Sequence, residues 1–399
     1  MTFSVGEVVE VTVGAVANGG HCVARVGDEP SGRVIFVRHA LPGERIKARI
    51  TEDGGRGFCR ADAVEILHVS PERIQPPCPH AGPGLCGGCD WQHVPLALQR
   101  QHKGEVIAEL FARIAGLEVT VDVEELPGGA LGWRTRTIYA VSEGAIGLRR
   151  HRSHDVEPLE SCLLGSDGVG DVAALPRPAP GTDALEVVTG SAGGRTVLAH
   201  RGKRARPVAG PPALRHEVLG CSFTVRAGGF WQVHPHAAST FAEAIIAATQ
   251  PRPGEKVLDL YAGAGLFTRL LAEQVGETGH VVGLEGDRLA VRDATDNLAG
   301  VGWSRVVHSP VSAKAVTEHG AGADIVVLDP PRAGAGAEVM NAALRLSPRV
   351  LAYLSCDPAT LARDVATARN AGWHLAGLRA FDAFPMTHHV ECLAVFTPS

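Results

Sequence analysis

Apolar and polar positions alternate through the first 67 residues. Stretches 8–13, 21–26, 33–37, 45–50 and 59–66 carry apolar or β-branched residues at alternate positions or in short runs. Gly-rich breaks at 17–20, 27–32 and 52–57 separate them. A period of two predicts strands, and five closely spaced strands predict a small barrel of the oligonucleotide-binding (OB) type. Such a barrel offers a groove to RNA or a face to a protein partner. Residues 68–220 are less regular. Pro71, Pro76, Pro77 and Pro79 mark a linker, a helix is predicted over 96–114, and weak strands and loops run to Pro212. From 221 to 399, apolar runs at 256–261, 280–284, 305–308, 324–328 and 349–354 alternate with helical stretches. That order predicts a parallel sheet with helices on both faces. Runs 375–384 and 390–396 then read as two strands joined by a short loop. The expected fold class is α/β. A Rossmann-like domain at 221–399 follows a mixed α+β central domain at 68–220 and a barrel at 1–67.

Composition narrows the picture. A chain of 399 residues that is 45% hydrophobic has enough apolar surface for real cores, so a mostly disordered chain is excluded. No apolar run reaches the roughly 18 residues of a membrane span. The first 20 residues lack a basic start followed by an apolar stretch, so no secretory signal is expected. Nine Cys in such a chain point to a reducing, cytoplasmic setting and to metal-binding or catalytic thiols, not a disulfide frame. A net charge of −5 excludes a uniformly basic coat, yet a local patch still steers a polyanion. Only five of the 38 basic residues are Lys, a bias of composition that carries no binding chemistry by itself. Two local clusters matter more: Arg134, Arg136, Arg149, Arg150 and Arg152, then Arg195, Arg201, Lys203, Arg204 and Arg206. A basic cluster is usually a solvated face, but two in an acidic chain suggest a phosphate-tracking surface.

Five motifs carry candidate chemistry. In VLDLYAGAGLFT (257–268) a strand runs through Gly263-Ala264-Gly265 into a helix, so the backbone turns sharply and approaches a ligand closely. Glu285 follows Gly265 by twenty residues, at the end of the next strand, where a carboxylate meets ribose hydroxyls. The arrangement suits NAD or S-adenosylmethionine (SAM). Thr268 in place of the third Gly, and Asp259 inside the strand, favour SAM. DPPR (329–332) puts Asp329 on a rigid loop after an apolar strand, facing the crevice where such sheets bind ligands. SCDPATLARD (355–364) puts Cys356 just before a helix start, with Asp357 as N-cap and Pro358 at the first helical position. A helix N-terminus stabilises a thiolate, although the Asp357 charge partly opposes it. In THHVEC (387–392) Glu391 opens the last strand and is a candidate general base. Finally, Cys86 and Cys89 form a C-x2-C knuckle, with Cys78 upstream and Cys162 as the candidate fourth ligand. Four Cys suit an iron–sulfur cluster or structural Zn, with His80 and His93 as spare Zn ligands.

Taken together, DPPR, SCDP and HVE in this order resemble the RNA uracil-5-methyltransferase family, over the full length of the chain. The resemblance implies that residues 1–67 are a TRAM domain, an RNA-binding barrel. It implies that Cys78, Cys86, Cys89 and Cys162 ligate a [4Fe–4S] cluster, and that Gln232 in FWQV (230–233) contacts SAM. Tyr261, Gly263 and Gly265 would belong to the SAM loop, Glu285 to the ribose position and Asp329 to the SAM and target-base site. Cys356 would be the nucleophile and Glu391 the base. One departure is visible: seven residues separate Cys78 from Cys86, two more than in other family members. The implied reaction is 5-methyluridine formation in 23S rRNA by a class I SAM-dependent methyltransferase, acting as a cytoplasmic monomer with no membrane partner. Two alternatives stay open, a tRNA substrate and an RNA-binding or RNA-folding factor with a vestigial methyl site. A cytosine-5 enzyme is disfavoured, because those usually set the nucleophile after Pro and none precedes Cys356.

Overall fold

The computed structural model describes residues 2–27, 32–55 and 57–398. The Gly breaks at 27–32 and 52–57 therefore fall partly outside the described residues.

Five strands close a barrel in the order Val8–Ala17, His21–Val26, Arg33–Arg38, Phe58–His68 and Arg45–Glu52, the last pairing back to the first. The alternation closes it. Val11, Val13, Ile35, Val37, Ile46, Ile50, Cys59 and Ala61 point inward and form one core. Polar neighbours on the same strands face out.

The largest sheet has eight strands. Their order is Ser304–His308, His280–Glu285, Lys256–Leu260, Ile325–Leu328, Val350–Ser355, Glu391–Pro398, Trp373–Asp382 and Val123–Glu125. The first five are parallel, and Glu391–Pro398 runs antiparallel to Val350–Ser355. Ile325–Leu328 and Val350–Ser355 are buried along their whole lengths, as central strands covered on both faces must be. Two cores lie on the two faces: one holds Leu258, Leu328, Met340 and Leu361, the other Val257, Phe241, Leu270 and Val327. Among the described residues, no helix is long and apolar enough to cross a membrane.

The middle of the chain departs from the sequence division in two ways. The helix Leu96–Leu110, extended by a wider turn Phe111–Ala115 and stopped by left-handed Gly116, packs its Ile107 and Phe111 into the core of the eight-stranded sheet. Strand Val123–Glu125 then joins that sheet beside Trp373–Asp382. So residues 96–125 belong physically with the C-terminal part, because their apolar face matches its exposed edge. The stretch read as weak strands and loops is instead a six-stranded sheet. Its order is Arg204–Ala209, Arg195–Arg201, Ala184–Thr189, Arg136–Ser142, Ala145–Arg149 and Val156–Pro158. The edge strand Arg204–Ala209 is almost wholly exposed and contains Pro207, so it lacks the alternation that marks a half-buried strand.

Candidate functional site

The parallel strands set the site. Leu260 pairs with Leu284 on one side and Leu328 on the other, and Leu328 pairs with Tyr353. The residues that follow, Tyr261, Glu285, Asp329 and the segment to Cys356, therefore emerge side by side at one carboxyl edge. This is where open α/β sheets bind ligands. On the neighbouring antiparallel pair, Ser355 is registered with Cys392. Cys356 and Glu391, one step beyond on each strand, consequently face each other across the edge.

Tyr261 has a positive φ of 66°, in the left-handed region that non-glycine residues seldom enter. The strain is held by two N–H groups, those of Tyr261 and Ala262, which both donate to the Leu284 carbonyl at 3.0 Å. Gly263 (φ 55°) and Gly265 (φ 85°) complete the turn into helix Leu266–Val275. A Cβ on Gly263 would meet nothing within 4 Å, so the loop is open on the ligand side. A Cβ on Gly265 would lie 3.2 Å from the Ala294 Cβ. Gly265→Ala should therefore destabilise the protein by more than about 1 kcal/mol, read as a lower urea midpoint. An unchanged midpoint would contradict this account of the turn. Glu285 is already drawn toward the loop: it accepts from the Gly263 N–H at 2.9 Å and the Asp287 N–H at 2.7 Å.

Buried carboxyls crowd this edge. Asp259 is fully buried and accepts from Thr268 Oγ1 at 2.5 Å, while its other oxygen has no partner among the described residues. Burial pushes its pKa up to about 7, against the pull of the Thr268 bond. Burial, then the Asp259 charge, raises Asp329 to about 7. Gln232 Nε2 reaches Asp329 Oδ2 at 3.5 Å, and Phe230 beside it is 61% exposed. Glu391 is buried, and burial followed by the Asp329 charge raises its carboxyl well above the ordinary range.

Cys356 is half-buried, and its thiol is pushed up to about 12, first by burial and then by the Glu391 and Asp329 charges. The expectation of a helix-stabilised thiolate is thus corrected for the ligand-free protein. Burial is the main reason, followed by the Glu391 and Asp329 charges; Asp357, which accepts from the Thr360 N–H at 2.8 Å at the helix start, adds a smaller negative contribution. Arg332 is the opposing influence on both Cys356 and Glu391. It also lies 3.4 Å from His389 Nε2. Arg332 lies within the DPPR loop, and its influence on Glu391 is a long-range interaction with no local signature in the sequence.

A second grouping lies elsewhere. Cys78, Cys86, Cys89 and Cys162 line one small cavity of about 20 Å³, together with Arg134, Gln92 and Leu148. All four thiols are free. Burial raises Cys78 and Cys86, with Cys89 pushed up to about 12, and the neighbouring Cys162 adds to each. The Gly88 N–H and Gln92 Nε2 donate to the Cys86 and Cys89 sulfurs at 3.4 and 3.1 Å. Among the described residues no three His, Cys, Asp or Glu groups are set to hold a metal ion. His80 lines the cavity but pairs with Glu157 at 3.1 Å, and His93 faces the Ala40 carbonyl at 3.3 Å.

The two basic clusters differ. In the first, Arg136 pairs with Glu186, Arg150 with Glu157 and Arg152 with Glu52, and Arg134 donates to the Gly88 carbonyl. Most of that cluster is therefore internally neutralised. In the second, Lys203, Arg204 and Arg206 stand exposed on and beside the outer edge strand.

Comparison with known proteins adds two profile matches: a TRAM domain over residues 3–64 and a tRNA (uracil-5-)-methyltransferase over residues 314–397. An uncharacterised RNA methyltransferase from Streptomyces avermitilis is 44% identical, over 99% of both chains. A 23S rRNA (uracil(1939)-C(5))-methyltransferase from a Shewanella species is 31% identical, over 92% of this chain and 91% of the relative. Among solved structures, the tRNA (uracil-54, C5)-methyltransferase of Pyrococcus abyssi, bound to S-adenosyl-L-homocysteine, superposes with a TM-score of 0.72 at 20% identity, over 98% of this chain and all of that one. That likeness speaks to the fold.

Proposed function

The chain belongs to the RNA uracil-5-methyltransferase family, and from that premise we propose that it forms 5-methyluridine in 23S rRNA with SAM as methyl donor. The observation that carries the reading is the meeting of Cys356 and Glu391 across one strand pair, beside the Gly263–Gly265 turn. Uracil C5 is a weak nucleophile. Addition of the Cys356 sulfur to C6, its thiol proton passing to solvent, moves an electron pair toward C5 and the C4 carbonyl, and C5 then takes a methyl group. Glu391 next removes the C5 proton, the C6–S bond breaks, and the thiolate leaves. SAM supplies the methyl cation equivalent. Gly263, Gly265, Tyr261 and Gln232 frame its pocket, Glu285 meets its ribose, and Asp329 lies between donor and base. The base must be extruded from the RNA stack to reach this edge.

The RNA-facing parts follow the three divisions. The barrel at 1–67 and the exposed Lys203, Arg204 and Arg206 of the central part at 68–220 track the phosphate backbone, and 221–399 carries out the chemistry. The enzyme acts as a monomer in the cytoplasm. Cys78, Cys86, Cys89 and Cys162 suit a [4Fe–4S] cluster: four partly buried Cys side chains line one cavity, the donor set such a cluster takes. Anaerobically purified protein should contain iron and acid-labile sulfide, four of each per chain. Colourless protein with stoichiometric Zn would refute the cluster.

The substrate is tested by mapping 5-methyluridine in RNA from a strain lacking the gene. Loss of one 23S rRNA site, restored by the wild-type gene, is the expected result. Loss confined to tRNA would overturn the rRNA assignment.

A further inference from the structure

The loop at residues 383–390 joins the last two strands and delivers Glu391. Most of its hydrogen-bond partners outside the loop come from one distant stretch, residues 90–103. The Asp90 and Trp91 N–H groups donate to the Met386 carbonyl at 2.9 and 3.1 Å. The Met386 N–H donates to Oε1 of fully buried Gln99 at 2.8 Å. Lys103, whose side chain is also fully buried, donates to Asp382 at 2.6 Å and to the Phe384 carbonyl at 3.2 Å. The Asp90 carboxylate accepts from the His388 N–H at 3.2 Å, and His388 Nδ1 lies 2.7 Å from the same oxygen.

Asp90 also meets the barrel. Arg38 Nη2 is 3.6 Å from the other Asp90 oxygen and donates to the Cys89 carbonyl at 3.4 Å. Trp91 Nε1 donates to the Gly20 carbonyl at 3.1 Å. A Cβ on Gly20 would lie 2.9 Å from the His388 Cβ and 3.2 Å from the Asp90 Cβ, so the barrel turn closes directly over the pair. One carboxylate therefore contacts the barrel and the Glu391 loop, and it directly follows Cys89.

We infer that Asp90 is a positioning residue for Glu391: by holding His388, three residues upstream, it seats the start of the last strand and ties the base to the Cys86–Cys89 knuckle and the barrel. The inference rests on the reading of Glu391 as the group that removes the C5 proton. Cys356 hangs from a different strand and helix, Val350–Ser355 and Pro358–Asn370. Loosening Asp90 should therefore leave thiol addition and methyl transfer largely intact and slow the last proton removal. A misplacement of about 1 Å costs on the order of 100-fold in such a step.

The test uses full-length Asp90→Ala, His388→Ala and Asp90→Asn proteins, with Glu391→Gln in parallel. Circular dichroism, SAM affinity and bound iron are measured for each. The main readout is the fraction of enzyme bound to ordinary uridine-containing RNA after denaturing electrophoresis. Asp90→Ala and His388→Ala should each lower kcat roughly 10- to 100-fold, with KM values within about twofold. Both should accumulate the covalent methylated adduct as Glu391→Gln does, and the double variant should be no slower than either single one. Asp90→Asn, which keeps an acceptor for His388, should recover part of kcat. Folded variants with wild-type kcat, or with adduct and turnover lost together, would overturn the role of Asp90. Should Glu391→Gln itself fail to accumulate adduct, the fault lies with the assignment of Glu391, and the inference falls with it.

Discussion

Alanine at Cys356 should lower methyl transfer by on the order of 10⁴-fold or more, the scale seen when a covalent nucleophile is removed. SAM affinity should stay near that of the wild type, because the proposed pocket, at the Gly263–Gly265 turn and Glu285, stands on other strands. The thiol starts protonated, being pushed up to about 12 by burial and then by the charges of Glu391 and Asp329. The Cys356 thiol is therefore quiet in the ligand-free site, and alkylation by iodoacetamide at neutral pH should be slow in the free protein. Tritium transfer from labelled SAM to RNA measures the main effect. Residual activity above about 1% of wild type would show that another group attacks C6.

Glutamine at Glu391 is expected to act differently. Loss of a general base costs roughly 10²–10⁴-fold in turnover. Glutamine keeps the size of the side chain but cannot take the C5 proton, so the reaction should stop after methyl transfer with the enzyme still attached at C6. A single-turnover experiment should thus show methyl label retained on a protein–RNA adduct. The Glu391 charge is also the second influence raising Cys356. Its removal should let iodoacetamide react with Cys356 at lower pH than in the wild type. Rapid release of methylated RNA by this variant would transfer the base role elsewhere, with Asp329 the nearest alternative.

What could be read from the sequence followed the range of the interactions. Barrel strands such as 33–37 are visible because burial alternates residue by residue. The parallel sheet is visible because Ile325–Leu328 and Val350–Ser355 are unbroken apolar runs ending in recognisable loops. Those loops locate Asp329, Cys356 and Glu391 at one edge, where the structure has them. The six-stranded sheet was obscured by an edge strand that is exposed and interrupted by Pro207. The assignment of 96–125 to the middle of the chain missed contacts formed with residues more than 200 positions away, such as Arg369 with the Ala115 carbonyl at 2.6 Å. The state of the Cys356 thiol was misjudged for a related reason. The helix N-terminus is a local feature, whereas burial and the Glu391 and Asp329 charges arise only from folding. Asp90 had no local signal at all, since its partner His388 lies 298 residues away.

The central claim, that Cys356 attacks uracil C6 in RNA, is tested most directly with 5-fluorouridine. Fluorine at C5 cannot leave as a proton does, so the methylated adduct is trapped. Incubation of the enzyme with SAM and a 5-fluorouridine-substituted 23S rRNA fragment should give a denaturation-resistant protein–RNA complex, with the peptide containing Cys356 carrying the nucleotide. No complex with substituted rRNA or tRNA, or attachment through any other residue, would contradict the account.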